Sequence, residues 1–221
     1  MTAVVIIGAG SYGVVYKEYL EADGHWDVRA FLDDDPSMQG TTVAGLPVMG
    51  TTEELPRLRE RGIEGAFAPI GNNAVRTRLL DRVRAAGLRT PNFVHASVIT
   101  ASKPRPDAGI YILAGTVIMP LVQIGEFVMI SMGVKIAHHT TLERGVFLST
   151  GVNVGAGIHV GERAFLGIGS TVVTKVRSVG ADAMVGAGAV VLKDVPPGIT
   201  VVGVPARPLP RDAAKLPQNA E

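Results

Sequence analysis

The sequence predicts a chain in two parts, a small α/β domain with a parallel sheet and then a parallel β-coil with three faces per turn. Two observations carry this. From residue 3 to about 92, short apolar runs ending in glycine or aspartate alternate with segments of helical spacing, which is the pattern of parallel strands joined by crossover helices. From Ile112 onward an aliphatic residue recurs every six positions without a break to Val172. After a one-residue slip the pattern resumes at Val179, Val185 and Val191. A period of six suits neither a helix nor simple alternation. It suits short strands separated by tight corners, with one inward aliphatic per face.

In order along the chain, "AVVIIG" is a buried strand ending in glycines, and Val14 to about Ala22 has helical spacing. "VRAFLDDD" is a second strand, "TTEELPRLRERG" an amphipathic helix, "GAFAPIG" a third strand, and "NAVRTRLLDRVRAAG" a helix closed by Gly87. These elements make half of a doubly wound, Rossmann-like nucleotide fold, over residues 1–92. The coil follows over 93–208, and 209–221 is a frayed tail rich in Pro, Ala and charge. Within the coil a small or β-branched residue stands four places after each aliphatic, as at Thr116, Val122 and Val128. Glycine often follows the aliphatic directly, as at Gly125, Gly155, Gly161, Gly167, Gly180 and Gly186. Those glycines are read as the points where the backbone turns. Three faces of six place residues eighteen apart in register, stacked ~4.8 Å apart.

Composition narrows the function. Of 221 residues 47% are hydrophobic but only 5% aromatic, so the core is aliphatic. The formal charge of +1 comes with no basic block, which argues against a nucleic-acid or membrane partner. The absence of cysteine excludes disulfides, thiolate metal sites and a cysteine nucleophile. The apolar N-terminus has no preceding basic segment and no run approaches the ~20 residues of a membrane span, so a cytoplasmic protein is expected.

Two motifs carry chemistry. "GAGSYG" sets Gly8, Gly10 and Gly13 between a strand and a helix, with Asp33 twenty residues beyond Gly13. Such a loop admits a pyrophosphate to the helix N-terminus, and the later acid suits a ribose hydroxyl. A dinucleotide such as NAD would leave the same trace, but the second half of its fold is missing. The other motif is His138 and His139, adjacent in the most regular part of the chain. Neighbouring residues on a coil edge point in different directions, and no Cys or acid sits at ligand spacing, so no metal is expected. They are a catalytic base with a companion, or two exposed corner residues. Ala156 lies eighteen residues after His138, one coil on along the same edge, where its N–H could face a reacting carbonyl.

The hexapeptide repeat and the ending "VGAGAVVLKDVPPGITVVGVPARPL" resemble the left-handed parallel β-helix of bacterial acyltransferases. With "IIGAGSYG", "FLDDD" and "IGNNAVR", nearly the whole chain is similar to the two-domain sugar acetyltransferases, the nucleotide-4-amino-sugar N-acetyltransferase and sialic acid O-acetyltransferase type. The resemblance implies a homotrimer with acetyl-CoA, as co-substrate, lying between neighbouring β-helices. It implies a nucleotide-sugar acceptor held by Gly10, Ser11 and Tyr12, by Asp33 and Asp34 after the second strand, and by Gly71 and Asn72. For Gly71 and Asn72 a tight turn with a helix N-cap is the simpler role. His138 falls at the family's catalytic position, and Ile168 and Gly186 on its cofactor path. Acyl transfer to an amine needs a base near neutrality and oxyanion donors, which suits His138 as base.

Three departures stand around that site. His139 replaces the acid that usually follows the catalytic histidine, and a protonated imidazole there would lower the base's proton affinity. Phe147 stands where a related enzyme has a histidine near acetyl-CoA, and Ser131 where asparagine is common. Glu143 is a candidate replacement for the acid. Sugar O-acetylation, or nucleotide-sugar binding without catalysis, are the alternatives to N-acetylation.

Overall fold

The computed structural model describes residues 1–101 and 104–210. They fall into two compact units, Met1–Pro91 and a second beginning at Asn92. The final residues of the expected tail lie outside the described residues.

The first unit contains β1 (Thr2–Ile7), α1 (Ser11–Asp23), β2 (Trp26–Leu32), the hairpin β3 (Thr42–Val43) and β4 (Leu46–Pro47), β5 (Gly65–Phe67) and α2 (Asn73–Ala85). The main sheet is parallel in the order β2-β1-β5. Val4, Val5, Ile6 and Ile7 are all buried, as expected for a central strand covered on both faces. Gly24 and Gly87 follow the two helices with φ of 73° each, the left-handed conformation that ends a helix and that glycine adopts without a Cβ clash.

"TTEELPRLRERG" is not the α-helix its periodicity predicts. It forms two 3₁₀ turns, Thr52–Arg57 and Arg59–Arg61. Pro56 lacks an N–H and its ring clashes with the carbonyl four residues back, which breaks an α-helix at that point. Leu55 and Leu58 are still buried, so the apolar face is kept while the backbone geometry differs from that of an α-helix.

The second unit is the parallel β-coil. Its two-residue strands pair eighteen residues apart on three faces. The first face stacks Tyr111–Ile112, Met129–Ile130 and Phe147–Leu148; the second, Val117–Ile118, Lys135–Ile136 and Asn153–Val154; the third, Gln123–Ile124, Thr141–Leu142 and His159–Val160. The second residue of each pair enters one continuous aliphatic core. The slip is absorbed at Thr174–Arg177, so His159 pairs with Ser178. Asp194 closes the irregular corner, its Oδ1 accepting the Arg177 N–H at 2.7 Å. That bond, offset in part by burial, holds the Asp194 carboxyl below its ordinary value. A lowered carboxylate stabilises the fold above the unfolded-state pKa, and this is lost as pH falls through the folded value. Asp194→Ala is therefore expected to lower the thermal midpoint at neutral pH, with the difference from the parent closing in strong acid.

The glycines that follow the aliphatics do not turn the chain. Gly155, Gly161 and Gly167 have ordinary backbone angles, whereas a Cβ at Gly155 would sit 2.5 Å from the Thr174 nitrogen and one at Gly161 2.5 Å from the Ala181 nitrogen. They are glycines because the next coil's corner lies on them. The left-handed corner positions are a different set, including Gly133, Gly151 and Gly157, and also the non-glycine residues Leu121, His139 and Lys175.

Candidate active site

In the first unit the loops after β1 and β5 leave the sheet on either side of the point where strand order reverses, the usual place for a ligand crevice. The two loops touch: a Cβ on Gly8 (φ 97°) would lie 3.5 Å from Cγ1 of Ile70. Gly10 is the N-cap of α1 and supplies no side-chain cap, and a Cβ there would meet nothing within 4 Å. Gly13 packs the helix on the strand so closely that a Cβ would collide with the Gly8 carbonyl oxygen. Gly10, Ser11 and Tyr12 thus open α1 at one side of the crevice, with Gly71 and Asn72 at the other. Asn72 caps α2, its Oδ1 accepting the Val75 N–H at 3.0 Å. The buried Arg76 donates from Nη1 to the Ile70 carbonyl at 2.8 Å and fixes the loop from below.

Both expected acids are committed to the protein's own loops. Asp33 Oδ2 accepts the Ala9 N–H at 2.8 Å and Oδ1 the Asp35 N–H at 2.9 Å. Asp34 accepts from the Thr52 N–H at 2.7 Å and the Thr52 hydroxyl at 3.0 Å, and that hydroxyl accepts from Arg82 at 2.8 Å. Asp33 therefore shapes the glycine loop, and Asp34 ties the β2 end to α2. Asp34→Ala leaves the buried Thr52 amide unpaired, an expected loss of about 1–3 kcal/mol in chemical denaturation.

In the second unit His138 and His139 occupy the corner between Lys135–Ile136 and Thr141–Leu142, and both are exposed. The backbone is pinned to the next coil on either side. Ala137 donates to the Val154 carbonyl, and the His138 carbonyl accepts the Gly157 N–H, each at 2.9 Å. The two Nδ1 atoms are 2.8 Å apart. Beside this corner runs a groove of about 440 Å³, floored by Ala137 and Gly155 and bounded by Met119, Lys135, Asn153 and Thr174. Small residues stacked eighteen apart leave that channel.

Ala156 stands one coil beyond His138, as the register predicts. Its N–H makes only a long contact, 3.4 Å, to the Thr174 hydroxyl. The sequence pattern gives no sign of the groove, though the stacking rule places Thr174 on the same edge. Glu143 does not replace the missing acid: its carboxylate is directed to His159, at 3.8 Å. Ser131 is buried and bonded to the Thr150 hydroxyl at 3.0 Å.

Within one chain the coil does not bring Phe147, Ile168 and Gly186 to His138. Phe147 is 4% exposed on the first face, edge-on to Phe165 at 5.3 Å between ring centres. Ile168, 60% exposed, lies on the edge between the first and second faces. Gly186 follows Met184–Val185 on the first face, where a Cβ would press on Val202.

A three-faced hexapeptide coil with an edge histidine beside a groove, preceded by a switch-point crevice, defines a transferase of the β-helix class. The model of the PglD N-terminal domain matches residues 3–83. Perosamine N-acetyltransferase from Caulobacter crescentus, solved as a histidine variant with CoA and GDP-perosamine, is 36% identical over 95% of this chain and 98% of that one, with a TM-score of 0.87. The acetyltransferase domain of PglB from Neisseria gonorrhoeae FA1090 is 28% identical over 95% and 100%, with a TM-score of 0.83. WeeI from Acinetobacter baumannii AYE, 24% identical over 95% and 100%, shares the fold with a TM-score of 0.80. The chain belongs to the hexapeptide-repeat sugar acetyltransferase family. Among the described residues no helix is long and apolar enough to cross a membrane.

Proposed function

We propose that the protein transfers the acetyl group of acetyl-CoA to the amine of a nucleotide-linked 4-amino-deoxysugar, with His138 as general base. The observation that carries the reading is His138 itself, an exposed imidazole next in sequence to the groove-lining Ala137, whose Nε2 makes no hydrogen bond among the described residues. The whole-chain likeness to an enzyme solved with CoA and GDP-perosamine supports it.

The amine nitrogen attacks the thioester carbonyl and its proton passes to His138 Nε2. The Ala156 N–H donates to the developing oxyanion. The carbon–sulfur bond breaks, and the proton leaves with the thiol as free CoA. No covalent acyl-enzyme is required. Gly10, Ser11, Tyr12, Gly71 and Asn72 form the nucleotide-sugar crevice, with Asp33 and Asp34 holding its loops. The active assembly is a homotrimer in the cytoplasm: a three-faced prism packs naturally about a threefold axis. A second copy's edge then brings Ile168, with Gly186 beside it, to the cofactor next to His138, and Phe147 stays buried behind that surface.

Free CoA released from acetyl-CoA is the readout, over a panel of UDP-, dTDP- and GDP-linked 4-amino sugars. Release with at least one member is expected, and silence across the panel overturns the reading. Light scattering tests the trimer, which a monomeric mass contradicts.

A further inference from the structure

His139 stands at φ 59°, a left-handed corner that the next coil fills with Gly157 at φ 69°. An L-residue is disfavoured there relative to glycine, although histidine tolerates it better than most. This conformation brings the His139 ring to 86° from the His138 ring, centres 5.0 Å apart, with Nδ1 facing Nδ1 at 2.8 Å. A bond between two imidazole nitrogens requires one N–H and one lone pair. Only one arrangement leaves a lone pair on His138 Nε2: His138 donates from Nδ1, and His139 accepts at Nδ1 while carrying its own proton on Nε2.

We propose that His139 is a positioning residue, a neutral imidazole acceptor that holds His138 in the tautomer able to take a proton at Nε2. The inference rests on the assignment of His138 as base. When the amine proton arrives at Nε2, His138 becomes an imidazolium. Its Nδ1–H bond to His139 is then charge-assisted and stronger, so the pairing favours the step. The acceptor is lost once His139 is itself protonated. The ionisable side chains on the flanking strands and corners are Lys135, Glu143, His159, Lys175 and Arg177, and none of them is bonded to either ring among the described residues. The pair therefore works as a unit, His138 donating from Nδ1 and His139 accepting.

Three variants test this, with kcat, KM and the thermal midpoint measured for each. His139→Gly suits the corner, so its midpoint is expected to hold or rise. Its kcat is expected to fall about 10–100-fold, the usual cost of losing an orienting partner, with both KM values unchanged. His139→Asn keeps a carbonyl acceptor on a residue that tolerates the left-handed corner, and is expected to retain most of the parent's kcat. Full activity in His139→Gly, or an equal loss in both variants, overturns the inference. His138→Ala separates the two claims: if it is inactive while His139→Gly is fully active, only the role of His139 fails. If His138→Ala is active, the base assignment fails and the role of His139 with it.

Discussion

Replacement of His138 by alanine is expected to cut acetyl transfer by about two to four orders of magnitude, the range a well-placed general base supplies. The fold should not notice. Ala156 already occupies the same place one coil on, so alanine is compatible with this corner, and His138 is exposed and outside the aliphatic core. The hydrogen bonds that pin the corner come from the backbone, between Gly157 N–H and the His138 carbonyl and between Ala137 N–H and the Val154 carbonyl. Thiol release from acetyl-CoA should therefore fall with no change in the thermal midpoint. A loss of activity matched by a loss of stability would point to the coil and not to the base.

Gly155→Ala is expected to have a large effect on the stability of the coil beside the site. The new Cβ would lie 2.5 Å from the Thr174 nitrogen and 2.9 Å from its Cα and Oγ1. Two of these atoms are backbone, so no side-chain rotation relieves the contact, and the corner at Thr174 has to move. Overpacking of this kind costs about 1–3 kcal/mol, and rigid backbone on the far side puts the change at the upper end. The same shift displaces Ala156, whose N–H is the candidate oxyanion donor, so kcat should fall together with stability. Gly157→Ala is the informative comparison. Its Cβ would meet nothing within 4 Å, but φ of 69° is left-handed, with an expected cost of about 1–2 kcal/mol. Denaturant midpoints separate the two, with Gly155→Ala the lower. If Gly155→Ala were as stable as the parent, the close stacking of successive corners would be wrong.

Those two glycines mark what could be read from the sequence. The six-residue period located the strands, the core residues and the edge that carries His138, because one inward aliphatic per face is a strong constraint. It could not separate a glycine needed for its backbone angle from one needed for room, since both leave the same letter. "GAG" at 155–157 contains one of each. The same limit hid the conformation of His139, a left-handed residue whose type is only a weak sign of it. The glycine fingerprint located the crevice, yet Asp33 and Asp34 proved to be hydrogen-bonded into their own loops. An acid after a strand looks the same whether it waits for a ribose or holds a neighbouring amide. Pro56 was visible throughout and was outweighed by the amphipathic pattern around it. Ile168 is thirty residues from His138, which is not a multiple of eighteen. The repeat itself therefore placed it on another edge of the prism.

Acetyl transfer to a sugar amine leaves its record in the product. The protein is incubated with acetyl-CoA and each nucleotide-linked amino sugar, and the nucleotide sugar is weighed by mass spectrometry before and after neutral hydroxylamine, which cleaves esters and spares amides. A gain of one acetyl group that survives hydroxylamine and is absent with His138→Ala is expected. An acetyl group removed by hydroxylamine would place the transfer on a hydroxyl, and no gain with any acceptor would rule out N-acetyl transfer by this protein.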